Sequence, residues 1–540
     1  MEGLFQNRSS DTSLKIGSRN DTTSQPITKY TKGIDMFSKN TRKKDESDKN
    51  RQKKSPTLVE ALLPILALII FIGGGYLAFK LPVEPMILLS AVVASFVALR
   101  LGYSWEEMMV MVSQKMAKAW PALLILLMVG FLIGAWMAGG SIPLMIYWGL
   151  KIINPQYLAF IALIVTAIVS TCTGTSWGSA GTIGVAFMGV AIGMNANLPM
   201  VAGAVVAGAY FGDKMSPLSD TTNLASMITG VNIFTHIKNM LWTSGPAFVL
   251  AMVIYLAIGL VTPTDAEVPE KVGTMLQQLE AAFNLNLIAI IPIIVVIAGA
   301  AMRFPTIPVM FLSSVLAMGN ALFFQGQSIQ NVVQSIINGF KLDMISRPAW
   351  SKIEPIEDIS RLLERGGMNS MLGTLLICFC AILFAGIMAL SGSLEFITER
   401  ILGNVKSRFG LIASTVCICL GTTGVTSNGQ ISIIMPGEVL RPSYIRRGIA
   451  PKVLSRTIED SVSVTECLMP WTAAGAYMAA TLGISTFAYL PWAVFNWSGM
   501  VIALILAATG LGITYLTKSE QLKLLSAEGL NKSDIITEGK

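Results

Sequence analysis

GDKMSPLSDTTNLAS, at 212–226, places two aspartates, a lysine, several hydroxyls and an asparagine directly after an uncharged run, LPMVAGAVVAGAYF at 198–211. A second stretch of the same character, TIEDSVSVTECLMPW at 457–471, carries Asp460 and Glu466. A carboxylate inside a membrane costs about 3 kcal/mol on insertion scales and marks an ion or proton path. Its oxygens can hold Na+ or H+ in competition. Two further segments, STCTGTSWGSAGT at 170–182 and CLGTTGVTSNGQ at 419–430, are dense in Gly, Ser and Thr. The first is flanked by apolar arms at 157–169 and 183–193, each too short to cross roughly 30 Å at about 1.5 Å per residue. A broken helix or re-entrant hairpin follows, whose hydroxyls and freed carbonyls are hard oxygen ligands. The candidate ion or substrate set is therefore Asp213, Asp220, Asp460 and Glu466 as carboxylates. Thr175, Ser176, Ser216, Thr221, Thr222, Asn223, Ser427, Asn428, Ser463 and Thr465 would add neutral oxygens or orient them.

Plainer readings compete with each of these. The Gly/Ser segments could be small-residue packing faces between helices. Pro217 removes a helix donor, so a helix could begin near Ser219 or Asp220, with Asp220 as its cap. Asp213 and Lys214 could be a surface pair at a helix end, with Lys214 neutralising Asp213. GTSWG at 174–178 fits a serine-hydrolase pattern, and His236 is the only histidine. That pattern needs a strand–turn–helix, which nothing here supports, so no enzyme is expected.

The elements that must position these residues are transmembrane helices. Of 540 residues, 53% are hydrophobic and 13% charged, about half the charge of a soluble domain. Apolar runs such as 58–79 and 241–261 recur along the chain, each near the roughly 20 residues a span needs. An all-α polytopic membrane protein with about 10–12 transmembrane helices is expected, since backbone groups in lipid must be satisfied internally. The six cysteines sit in apolar segments without metal or disulfide spacing and read as core residues. Trp105, Trp148, Trp242 and Trp492, near the ends of apolar runs, read as membrane-interface anchors. The first 54 residues hold 13 Lys/Arg against 7 Asp/Glu. They read as a disordered basic tail on the cytoplasmic side, and the net charge of +7 gives no reason to expect a nucleic acid.

Self-comparison suggests a duplication. A shift of 247 places Cys172, Gly174 and Thr175 on Cys419, Gly421 and Thr422, and Asp213 on Asp460. Nearer the N-terminus a shift of 224 places Gly102 on Gly326. The difference is an insertion at 343–365, expected to be external. The linker is acidic, and the basic cluster Arg441, Arg446 and Arg447 has an uncharged counterpart, so the two repeats are expected to be inverted, with both termini cytoplasmic. Arg303 would then lie inside, after one crossing. The expected layout is a tail at 1–56, repeats at 57–262 and 282–517, a linker at 263–281 and a C-terminal tail at 518–540.

GDKMSPLSDTTNLA with the preceding VAGAVVAGAYF resembles the signature of the NhaC-type Na+/H+ antiporters, a family that includes Na+-coupled malate/lactate exchangers. The likeness extends over about 58–517. TSNG at 426–429 is similar to a Ser-Asn turn that binds Na+ in the broader ion-transporter superfamily, although Gly429 stands where Thr is usual. The resemblance implies exchange of Na+ for H+ across a bacterial inner membrane, with no cofactor. The alternative is a Na+/H+-coupled antiporter of a dicarboxylate or monocarboxylate, which Lys214 or Arg456 would favour, or less readily an amino-acid exchanger. Membrane lipid is the implied surrounding, and a second copy of the chain is a candidate partner.

Overall fold

The computed structural model describes residues 53–530 and 535, apart from 80, 262–267, 303, 404 and 406. The N-terminal tail and Arg303 lie outside the described residues. Residues 54–540 form one compact unit, and the described part is helical, with one isolated β-bridge between Ile449 and Tyr515. Nine helices are long and apolar enough to cross a membrane among the described residues. A tenth span is reached if 272–282 and 287–299, bent by 98°, count as one.

In the first half the helices that matter here are α1 Leu58–Ile72, α2 Val83–Arg100, α3 Trp105–Ala138, α4 Leu158–Thr173, α5 Ser176–Ser179, α6 Leu198–Met215, α7 Asp220–Ile228 and α8 Ile233–Val261. The second half supplies α9 Val268–Ala282, α10 Ile291–Ala301, α11 Thr306–Phe323, α12 Leu372–Leu390, α13 Arg408–Thr426, α14 Gly429–Arg446, α15 Pro451–Ser461, α16 Ser463–Glu466, α17 Ala473–Leu482 and α18 Val494–Thr509. A last helix, α19 Lys518–Ala527, follows. Local chemistry sets several starts. Thr57 with Glu60, and Ser104 with Glu107, form reciprocal capping boxes that satisfy orphan donors of the first turn. Asn197 caps α6 through Met200 N–H, with Pro199 just inside.

Matching elements do occur in the two halves, but the register differs from the one expected. At an offset of 253, α4 meets α13, α5 meets the start of α14, α6 meets α15 and α16, and α7 meets α17. The turns agree in detail. Gly174 and Ser427 both take the left-handed conformation, and Thr175 and Asn428 both cap the helix that follows. Thr173 bonds Ser179 as Thr426 bonds Ser432, at 3.2 and 2.6 Å. Asp213 therefore corresponds to Glu466, and the pairing with Asp460 is corrected. An alignment by identities followed Gly and Thr, which are common in both segments; helix ends and caps carry the register.

The offset of 224 near the N-terminus holds. Gly102 and Gly326 both have positive φ, and Ser104 and Ser328 both cap the next helix. Between the elements that correspond at the two offsets lie residues 339–367, where 343–365 was expected to be inserted. This stretch interrupts the counterpart of the 34-residue α3, and its two ends close on each other through Phe340 N–H to Arg365 O at 3.0 Å. Gly367 N–H then bonds Gly130 O of α3 at 2.9 Å. The stretch 263–281, expected as a linker, is largely the helix α9. The C-terminal α19 is held against α14, with Glu528 just beyond it paired to Arg441 and Gln521 donating to Ile445 O at 2.9 Å.

Candidate ion-binding site

α4 and α6 lie against each other through small residues. A Cβ on Gly208 would come within 2.3 Å of Leu163 O, and one on Gly212 within 2.3 Å of Ala167 O. In α6, a helix for which no such face was expected, glycines at i and i+4 let two backbones touch. The closeness places Asp213, one residue past Gly212, against the break between α4 and α5. That break is a single turn. The arms are longer than expected, with Pro155–Thr173 and Ser176–Gly193 each long and apolar enough to count as a span. The polar residues 170–182 mostly continue the helices rather than forming an unwound segment.

Asp213 faces the N–H and hydroxyl of Ser176, at the first turn after the break, and the Ser219 hydroxyl. Glu466 faces the N–H groups of Gly429 and Ala474, at the starts of α14 and α17. A Cβ on Gly429 would stand 2.5 Å from Glu466 Oε2, so this approach requires glycine. A helix N-terminus carries a partial positive charge and free N–H groups, and an acidic side chain or anion is favoured there. Each half thus brings one carboxylate to the N-terminal side of its own broken helix.

Both carboxylates open on a cavity of about 670 Å³. Its polar wall includes Thr175, Ser176, Asp213, Ser219, Asp220, Thr221, Asn223, Asn428, Ser463 and Glu466. Its apolar wall includes Val129, Val296, Phe304 and Val309. Among the described residues no Lys, Arg or His lines it. Asp220 is exposed and is the first residue of α7, with Ser219 in the cap position. It is a cavity residue rather than a cap.

Five expected site residues lie elsewhere. Ser216 Oγ accepts from Leu218 N–H at 3.2 Å. Thr222 donates to Lys214 O at 3.1 Å, and Thr465 to Ser461 O at 2.6 Å. Ser427 donates to Trp471 O at 2.8 Å, closing the second break. Asp460 is fully buried, paired with Lys214 and accepting from Thr243 Oγ1 at 3.0 Å. Lys214 is therefore neither at the surface nor the neutraliser of Asp213. His236 is buried with Nδ1 2.8 Å from Ser455 Oγ, on a partner other than Ser176. Sequence reasoning passed over Ser219, Trp177 and Glu459. Tyr477 donates to Trp177 O at 2.6 Å and stacks on its ring, joining the two halves beside the cavity. Glu459 adjoins Asp460, and two consecutive carboxylates in one helix were the available signal.

Helices long and apolar enough to cross a membrane, with two carboxylates held on broken helices at a shared cavity, make the architecture of a polytopic transporter. Residues 208–511 match the Na+/H+ antiporter family, and the chain belongs to that family. It is 52% identical to an uncharacterized Na+/H+ antiporter of Haemophilus influenzae, over 86% of this chain and 98% of that protein. It is 33% identical to the Na+/H+ antiporter NhaC of Alkalihalophilus pseudofirmus, over 81% and 92%. With the malate-2H+/Na+-lactate antiporter of Bacillus subtilis it shares 32%, over 87% and 98%.

Proposed function

We propose that the chain exchanges Na+ for H+ by alternating access, with Asp213 and Glu466 as the central carboxylates of one site. The observation that carries this reading is their placement. Each stands at the N-terminal end of a broken-helix arm, both line one cavity, and among the described residues no basic side chain lines it. Asp220, Thr175, Ser176, Asn428 and Ser463 complete the oxygen set. The two halves, related by inverted topology, alternate in exposing the site to the two faces of a bacterial inner membrane, with both termini cytoplasmic. The test is Na+-dependent proton movement in everted vesicles. Asp213→Asn and Glu466→Gln are each expected to abolish it at unchanged expression; normal movement in both would overturn the assignment.

A second reading, coupled exchange of an organic anion, is favoured by the size of the cavity, which exceeds what Na+ requires, and by the name of the Bacillus subtilis relative. Against it stands an acidic wall with no basic side chain among the described residues. Uptake of radiolabelled malate and lactate into proteoliposomes, with and without a Na+ gradient, separates the two. Label uptake that follows the gradient would favour the anion reading.

A further inference from the structure

Glu459 lies one residue before Asp460 in α15 and is 0% exposed. Among the described residues neither of its carboxylate oxygens has a close hydrogen-bond partner, and the Ser463 hydroxyl is the hydrogen-bonding group set against it. An ionised carboxylate left without a donor in such a place is among the costliest arrangements a protein can hold. The groups facing it are the Ser463 hydroxyl, Lys214, Asp213 and Asp460. Lys214 is already engaged by Asp460. Of the other charged groups nearby, Arg456 donates to Gly512 O at 3.0 Å and His236 is engaged by Ser455.

The helical ladder breaks at Val462, between α15 and α16, and the Ser463 hydroxyl at the start of α16 faces Glu459 across that break. Ser463 and Glu466 line the cavity, whereas Glu459 does not. Ser463 Oγ, like Glu459, is buried without a close hydrogen-bond partner among the described residues. A carboxyl and a hydroxyl therefore form a track from the interior to the cavity. The first half has no equivalent, because the positions matching Glu459 and Asp460 are Val206 and Ala207.

We propose that Glu459 is the proton carrier of the cycle, distinct from the carboxylates that hold Na+. The Glu459 carboxyl gives its proton to Ser463 Oγ, and the hydroxyl's own proton passes to water in the cavity. Glu459 is left as a carboxylate facing Lys214, and the reverse transfer reloads it. Na+ and H+ thus occupy different carboxyls, and their exchange is coupled across the track rather than by competition for one group. This rests on the Na+/H+ reading above.

The test uses the full chain in proteoliposomes with two readouts: sodium uptake driven by a pH gradient, and exchange of radioactive sodium for sodium at equal pH. Glu459→Gln is expected to lower the first about tenfold or more and leave the second within about twofold. Glu466→Gln lowers both. Wild-type gradient-driven uptake in folded Glu459→Gln would overturn the proposal, and so would loss of both readouts with wild-type Tm and elution. If Glu459→Gln does not fold, Glu459→Asp carries the test. It should keep sodium exchange and shift the pH dependence of driven uptake, and an unshifted profile would overturn the proposal. A wild-type protein with neither readout would instead defeat the Na+/H+ reading itself.

Discussion

Glu466 and Asp213 owe their place to what surrounds them, not to their own chemistry. Gly429 is the clearest case. Its missing side chain lets Glu466 reach the start of α14, and a methyl there would stand 2.5 Å from Oε2. Gly429→Ala is expected to raise the sodium concentration for half-maximal exchange about tenfold, equivalent to about 1.4 kcal/mol. Gly421→Ala, whose Cβ would meet nothing within 4 Å, should leave it unchanged. A concentration series in vesicles compares the two, and equal effects would mean that the approach to Glu466 is unimportant.

Helix-on-helix packing decides how close the two broken arms can come to the carboxylates. α4 and α6 touch through Gly208 and Gly212, and a side chain at either would strike a carbonyl of α4. Gly208→Val is expected to destabilise the fold by about 1–3 kcal/mol, the usual range for overpacking. A fall in Tm checks it. The Lys214–Asp460 pair ties the end of α6 to α15, with side chains 1% and 0% exposed. Lys214→Ala leaves a buried carboxylate unpaired and should cost about 3–5 kcal/mol. Replacing both partners by apolar residues of similar volume, Lys214→Met with Asp460→Leu, should recover most of that stability. Failure of the double variant to recover would assign the pair a role beyond mutual neutralisation.

For the molecule as a whole, a ligand that binds only the folded state stabilises it. At one hundred times its Kd the gain is about 2.7 kcal/mol. Sodium chloride is expected to raise the Tm of the detergent-solubilised protein, potassium chloride at equal ionic strength to raise it less, and Asp213→Asn to erase the difference. A sodium-specific shift that survives Asp213→Asn would place the ion elsewhere.

Membrane class, helical content and the presence of two polar breaks were legible in the chain. They depend on composition and on runs of about 20 apolar residues, which are local properties. So was the start of α7 after Pro217, because proline acts on its immediate neighbours. Nine of the fourteen expected site residues line the cavity for the same reason: they cluster in four short motifs, 170–182, 212–226, 419–430 and 457–471. What the chain did not disclose was pairing. Asp213 corresponds to Glu466 because helix ends and caps coincide, whereas residue identity pointed to Asp460. Lys214 passes over adjacent Asp213 to meet Asp460, 246 positions away. Which buried charges meet depends on how helices distant in sequence pack. A buried ion pair or an orphaned Glu459 is a property of that packing, and only the tertiary structure decides it.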